Sequence, residues 1–247
     1  MKTMKTVKIN GIVISENSLG DSDKMLTILT PNLGKISCIA KGAKRPKSML
    51  MSGSQFLCFG EYILYKSQDI YMMNSSNPIE LFYNIRTDLD KLNYASLITK
   101  IISDVTTENQ NNYNILKLFL NTLYTISETD KELDFILSVF RFRLLKILGF
   151  SPNITECVSC NKKDDKEYKY FSIKDDGFKC KECGKLDTSA IEISEGARYA
   201  IIYSIMADSK KIFSFKINKQ SMVEFELISR LYFNEKLEKE YKIEKLF

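Results

Sequence analysis

The stretch Cys157-Val-Ser-Cys160-Asn-Lys-Lys-Asp-Asp-Lys-Glu-Tyr168-Lys-Tyr-Phe-Ser-Ile173-Lys-Asp-Asp-Gly177-Phe-Lys-Cys180-Lys-Glu-Cys183 organises this chain. Two Cys-x-x-Cys knuckles stand nineteen residues apart, a spacing that fits a tetrahedral thiolate zinc site. Each knuckle lets two sulfurs on one tight turn reach a single ion at ~2.3 Å. Between them Tyr168–Ile173 reads as a strand and Asp175-Asp176-Gly177 as a hairpin turn, so a β-ribbon brings the knuckles together. Four thiolates on one zinc leave no coordination position for water or substrate, which predicts a structural site built from Cys157, Cys160, Cys180 and Cys183. A segment this short and polar buries little core, and zinc supplies the missing folding energy. Lys162, Lys163, Lys179, Lys181 and Lys185 are near enough in sequence to offset the excess negative charge.

Upstream of this module the chain is helical. Ile85, Leu89, Leu92, Ile98, Ile101 and Val105 share one face, and Ile115, Leu116, Phe119, Leu123 and Ile126 a second. Leu133–Leu148 is apolar nearly all round except for Arg141, Arg143 and Lys146, the pattern of a central bundle helix. Gly149 suits its C-cap and Pro152 bars continuation. Downstream, Ser194–Met206 and Lys219–Leu237 read as helices, and Glu235–Lys245 as a solvated helix end or tail. At least one of Arg141 and Arg143 is expected to be structural rather than a nucleic-acid contact.

The first ~75 residues read differently, as strands. Val7–Ser15 is an apolar run broken at Asn10-Gly11. Met25–Thr30, Lys35–Ala40 and Phe56–Tyr65 follow, and Ile70–Met73 pairs back across a Lys66–Asp69 turn. Five short strands with polar turns predict a small closed or partly closed barrel. Cys38 and Cys58, each in an apolar strand, read as small buried hydrophobes. Between the third and fourth strands lies a polar stretch, Lys41 to Gln55, that opens with four cations in seven residues: Lys41, Lys44, Arg45 and Lys47. With Lys35 just upstream, this loop suits contact with phosphates, and a basic loop on a barrel is a way to hold single strands. A solvated loop is the plainer alternative. The N-terminal third also carries most of the basic excess, with ten Lys and Arg against six Asp and Glu in residues 1–80 of a chain whose formal net charge is +5.

The absences narrow the function further. The chain has no histidine, which removes Ser-His-Asp, Cys-His and His-ligated catalytic zinc arrangements. Neither a P-loop nor a Gly-x-Gly-x-x-Gly fingerprint is present. Asp21 and Asp23 could form a carboxylate pair for a metal-dependent nuclease, although a turn before a strand explains them more simply. No catalytic residue is assigned, and the expectation is a protein that is not an enzyme. The rival classes are that nuclease and a protein-interaction scaffold with structural zinc. No signal-peptide h-region and no membrane-length apolar run occur, so a cytoplasmic protein is expected, with Met4 as an alternative start.

Taken together, several stretches resemble the bacterial DNA repair and recombination mediator family RecO. These are Gly11-Ile-Val-Ile-Ser15, Leu19–Thr30, the run Gly34-Lys-Ile-Ser-Cys-Ile-Ala-Lys-Gly-Ala-Lys-Arg-Pro-Lys-Ser48, Asp88–Ser96 and Phe140–Phe150, with the cysteine pairs after them. The resemblance implies an α+β multi-domain chain. An N-terminal OB-type β-barrel (1–80) would precede an α-helical domain (81–247) with an inserted zinc ribbon-like module (151–190). It implies binding of single- and double-stranded DNA, annealing of complementary strands, and partnership with RecR to load RecA onto strands coated by single-strand-binding protein, in association with the nucleoid. Lys35, Lys41, Lys44, Arg45 and Lys47 are the expected DNA contacts. Some members of the family lack the zinc cysteines, whereas this chain has all four; from Ser189 onward it departs most from the family pattern.

Overall fold

In the computed structural model, which describes residues 6–67, 70–164 and 168–243, the first strand is long enough to pair twice. β1 (Thr6–Leu19) runs antiparallel to β4 (Phe59–Ser67) through Thr6–Ile12 and antiparallel to β2 (Asp23–Leu29) through Ile12–Leu19. Pairing on both sides needs a bend, and Gly11 with a bulge between Val13 and Ser15 provides it. A Cβ at Gly11 would lie 2.6 Å from Ile28 Cγ2 and 2.9 Å from the Leu29 carbonyl oxygen. The break expected at Asn10-Gly11 is therefore a bend within one continuous strand. β3 (Lys35–Ala40) pairs antiparallel with β2 and parallel with β5 (Ile70–Glu80), which returns antiparallel to β4. The order β1-β2-β3-β5-β4 closes the barrel in the five-stranded OB manner. β5 runs past Met73 to Glu80 because β4 keeps pairing with it as far as Phe59↔Glu80.

Alternating inward residues fill this barrel: Val13, Leu26, Ile28, Ile36, Tyr62 and Leu64, together with Cys38 and Cys58. Burial pushes the Cys38 thiol up to about 12 and raises that of Cys58, so both are inert packing groups, as expected. The periodic face expected from Ile85 to Val105 is split in two. After α1 (Tyr83–Arg86), the Asp88 carboxylate accepts the Lys91 N–H at 3.0 Å and starts α2 (Leu89–Val105) afresh. The link from α2 to α3 (Tyr113–Glu128) is stapled to the β2–β3 turn. Lys35 N donates to Thr107 O, Asn109 N to Leu33 O and Asn112 N to Pro31 O, at 3.1, 2.9 and 2.8 Å. By contact, the barrel and these helices form one compact unit, which ends at Ser127, and the rest of the described chain forms a second.

At the centre of the second unit is α4 (Leu133–Leu148), buried from Phe135 to Phe142 and again at Leu144 and Leu145. Gly149 (φ 88°) caps it and donates its N–H to the Leu145 and Lys146 carbonyls. A hairpin follows, β6 (Tyr168–Ser172) and β7 (Gly177–Cys180), then α5 (Lys181–Leu186) and β8 (Ile191–Glu192), which pairs with the far side of β6. α6 (Glu195–Met206) and α7 (Lys219–Leu237) pack on α4; their N-caps are Ser194 and Asn218, whose side chains accept the N–H groups of Ala197 and Ser221. The tail after α7 is not simply solvated, because Tyr241 is buried with its ring 5.7 Å from that of Phe233. Met4, positions 68 and 69 of the expected Lys66–Asp69 turn, and Lys245 lie outside the described residues. No helix among the described residues is long and apolar enough to cross a membrane.

Candidate metal centre and nucleic-acid interface

The hairpin register brings the two knuckles together. β6 pairs with β7 from Ser172↔Gly177 back to Tyr168↔Cys180, which sets Cys180 and Cys183 beside the turn that carries Cys157 and Cys160. That first turn is closed by Asn161 N donating to Cys157 O at 2.8 Å and Cys157 N to Lys162 O at 3.0 Å. It is pinned to β7 by Val158 N donating to Phe178 O at 2.9 Å. The four Sγ atoms lie within 4.8 Å of one another, and Cys160 Sγ and Cys180 Sγ are 3.8 Å apart. A tetrahedron of sulfurs ~2.3 Å from a central zinc has an edge of about 3.8 Å. The donor set is thus one that can hold a metal ion and is compatible with zinc.

The electrostatics of the cluster agree. Burial pushes the Cys157 thiol up, but the backbone N–H groups of Cys180, Cys160 and Ser159 directed at its sulfur outweigh that and bring it to about 6; the Cys180 N–H lies 3.3 Å away. Burial, then competition with the other three sulfurs, holds Cys183 at about 12. Four thiols this close resist full ionisation on their own, whereas a coordinated dication deprotonates its thiol ligands outright. Lys179, expected to offset the thiolates, does something else. It is buried, and its ammonium lies 2.6 Å from both the Asp175 and the Asp187 carboxylates, which neutralise it locally.

This module is part of the core of its unit. The Phe171 ring meets Tyr232 of α7 edge-on at 5.4 Å and Phe178 at 5.7 Å. The Tyr232 hydroxyl donates to Phe150 O at 3.2 Å, and Lys236 reaches from α7 to Asp176 in the hairpin turn. Arg141 and Arg143 are structural as well. Arg141 is buried against Ser229 and Glu226 of α7. Arg143 donates to the carbonyls of Ile205 and Ala207 at 2.7 and 2.8 Å, and Lys146 to Ile205 O at 2.8 Å, so cations cover the C-terminus of α6.

The basic loop is ordered. Asp23 Oδ1 accepts the Gly42 N–H at 2.8 Å and the Ser22 hydroxyl at 3.1 Å, and these bonds, the Gly42 N–H above all, hold its carboxyl below the usual range. Asp23 is therefore the anchor of the loop. Sequence reading missed this role, since nothing in a single sequence ties an aspartate to an amide nineteen residues on. Beyond Gly42 successive turns follow, with Arg45 N donating to Gly42 O, Ser48 N to Arg45 O and Met51 N to Ser48 O. Ala43 and Leu57 are buried, Leu50 packs on the barrel core, and the Tyr62 hydroxyl donates to Gly53 O at 3.1 Å. Gly53 leaves no room for a side chain, because a Cβ there would lie 2.2 Å from Ser76 Oγ of β5.

Between this loop and β5 is an open depression of about 480 Å³. Lys41, Arg45 and Lys47 line it, with Met49 and the segment Asn74–Ser76. All three cations are exposed, and none forms an ion pair among the described residues. Lys44 is also exposed but donates to Gly20 O at 3.2 Å. Lys35 is set apart from the others, its ammonium donating to Ser103 O of α2 at 2.7 Å.

Comparison with known proteins agrees with this architecture. A family model described as Recombination protein O N terminal matches residues 4–82, and one described as Recombination protein O C terminal matches 86–244. A DNA repair protein RecO of Acetivibrio thermocellus is 42% identical over 238 residues, 96% of this chain and 94% of that protein. Those of Alkaliphilus metalliredigens and Caldicellulosiruptor bescii are 34% and 30% identical, covering 86% and 97% of this chain and the same shares of the relatives. With both halves matched by family models and near full-length identity at this level, the chain belongs to the RecO family of DNA repair proteins.

Proposed function

We propose that this protein is a non-enzymatic recombination mediator that binds single- and double-stranded DNA through the basic loop of its barrel and anneals complementary strands. With RecR it would help load RecA onto strands coated by single-strand-binding protein, acting in the cytoplasm. The observation that carries the DNA reading is the ordered loop with three exposed cations, Lys41, Arg45 and Lys47, none of which forms a close ion pair among the described residues, although Asp23 lies near enough to feel the charges of Lys41 and Arg45. Cations held on a fixed backbone neutralise phosphates without reading bases, and lowering the charge repulsion between two strands lets them pair. Lys44 contributes at the edge of the same path, and Lys35, engaged by the Ser103 carbonyl, contributes little. The four cysteines hold one structural zinc. The nuclease reading is weakened because Asp23 already serves the Gly42 N–H and the Ser22 hydroxyl.

A salt titration tests the proposal. For single strands, log affinity falls with log salt by ~0.7 per phosphate contact, so three to four contacts give a slope of about −2 to −3. Changing Lys41, Lys44, Arg45 and Lys47 together to Ala makes the slope shallower by that amount, equally on all sequences. Annealing by the parent protein proceeds in excess magnesium chelator without nucleotide. A variant that keeps the parental slope refutes the assignment of the DNA path to this loop.

A further inference from the structure

Met49 is the most exposed large apolar residue of the basic loop, and the phosphate reading leaves its position unexplained. Its side chain is 88% exposed at the rim of the depression between the loop and β5. Exposing so much thioether surface gains nothing for the fold, since burying a side chain of this size stabilises a protein and a single polar residue would serve a solvated turn equally well. The loop also fixes where Met49 points. The next residue, Leu50, turns inward against the barrel core, and the Leu50 N–H donates to Ser48 Oγ at 3.3 Å. The Met51 N–H donates to Ser48 O at 3.2 Å, and the Ser54 hydroxyl to Met51 O at 3.2 Å. Met49 is thereby held outward on an ordered turn, with Lys47, Arg45 and Lys41 around the same depression and Asn74, Ser75 and Ser76 of β5 on its other side.

We infer that Met49 is a wedge that packs against the face of an unstacked base while the surrounding cations hold the phosphates on either side of it. The inference rests on the DNA-binding reading of the loop and assigns the base contact which that reading lacks. Charge complementarity selects the occupant: three exposed cations and, among the described residues, no carboxylate line the depression around one apolar side chain, which suits a polyanion that also carries apolar faces, and single-stranded DNA is such a polymer. Side chains such as Met enter between bases, and contact with a base face tolerates every sequence because each base has a π-face. The polarisable thioether packs well on an aromatic ring. Asn74, which is exposed, and Ser75 offer polar groups beside the wedge for the edge of the displaced base.

The test uses the full chain and three probes: a mixed-sequence single strand, a wholly abasic strand of equal length, and a strand carrying a fluorescent base analogue quenched by stacking. Met49→Ala binds the normal strand about tenfold more weakly, the scale of one lost base-stacking contact. Its salt slope equals that of the parent, because no charge is altered. On the abasic strand the two proteins bind alike, and the parent brightens the stacked analogue more than the variant does. Met49→Leu, apolar and of similar size, keeps most of the affinity. Two results overturn the inference: Met49→Ala binding the normal strand as tightly as the parent, or losing affinity equally on the abasic strand. If the fourfold cation variant still shows its shallower slope alongside either result, the wedge alone falls. If that variant also keeps the parental slope, the DNA path itself is wrong. A recombination-protein partner held at Met49 in place of DNA would leave every strand affinity unchanged in Met49→Ala, which is the first overturning result.

Discussion

Replacing Cys157 with Ser tests whether the metal centre holds up the second unit. Cys157 is fully buried, and its sulfur receives the Cys180 N–H at 3.3 Å, so the lost ligand is also the junction between the two knuckles. Structural zinc in small modules contributes about 10–16 kcal/mol of apparent binding energy, which is folding energy for the residues it joins. A whole domain is stable by only about 5–15 kcal/mol. Even a partial loss of ~3 kcal/mol lowers the melting temperature of a domain this size by roughly 10 °C or more. The damage spreads in a defined direction, because Phe171 and Phe178 of the hairpin meet each other and Phe171 meets Tyr232 of α7. Amide hydrogen exchange of the full chain, resolved by peptide, provides the assay. In Cys157→Ser, protection falls in β6, β7 and the middle of α7, while barrel peptides keep theirs. Metal analysis of the parent, purified without chelator, gives one zinc per chain. Unchanged protection in β6 and β7, or well under half a zinc per chain, refutes the reasoning.

Two other substitutions probe the supports of each candidate site. Arg143→Met strips the C-terminal carbonyls of α6 of a partly buried cation that bonds Ile205 O and Ala207 O, and costs the second unit about 1–3 kcal/mol in a denaturant titration, with the DNA salt slope unchanged. Asp23→Ala frees the Gly42 N–H, so trypsin cuts at Lys41, Lys44 and Lys47 faster than in the parent; equal cleavage would show that the turns alone order the loop. Since bonding to Gly42 holds the Asp23 carboxyl below its unfolded value, its anchoring is present above about pH 4 and fades as pH falls through the lowered folded value, so the parent loop also becomes more cleavable in acid when probed with an acid-active protease.

Local patterns carried the parts of this fold that local physics decides. The Cys-x-x-Cys pairs and Asp-Asp-Gly turn specify a hairpin and a ligand set because tight turns fix neighbouring sulfurs regardless of what surrounds them. Lys219–Leu237 reads as one helix in sequence and is one in space, and the helix expected from Ser194 to Met206 forms with Ser194 as its cap. Long-range geometry escaped. Asn10-Gly11 reads as a strand break, but the glycine serves the approach of Ile28 from β2, seventeen residues further along. The split between α1 and α2 depends on Asp88, whose capping role is masked by an apolar period that runs straight through it. Lys35 looked like a loop cation and instead bonds the Ser103 carbonyl of α2, a partner sixty-eight residues away. Lys179 looked like a counter-charge for thiolates and is claimed by two aspartates brought in by a turn and a helix end.

Those two lysines show why charge counting alone overstates a binding surface. Of the cations that sequence reading grouped around the barrel loop, Lys35 and Lys44 have backbone carbonyls as partners, and Lys41, Arg45 and Lys47 stand exposed beside the depression with no close ion pair among the described residues. A cation already bonded to protein must give up that bond or share it before it can neutralise a phosphate, so the three exposed cations lining the depression dominate the salt slope. The expected order therefore differs from an equal division among five residues. Single Ala variants of Lys41, Arg45 and Lys47 each remove ~0.7 from the slope, and the Lys35 variant removes little while loosening the α2 contact. The same ordering explains why the loop is built on Asp23, Tyr62 and Gly53 instead of being left to solvent: a fixed backbone presents its cations without first giving up loop entropy on binding.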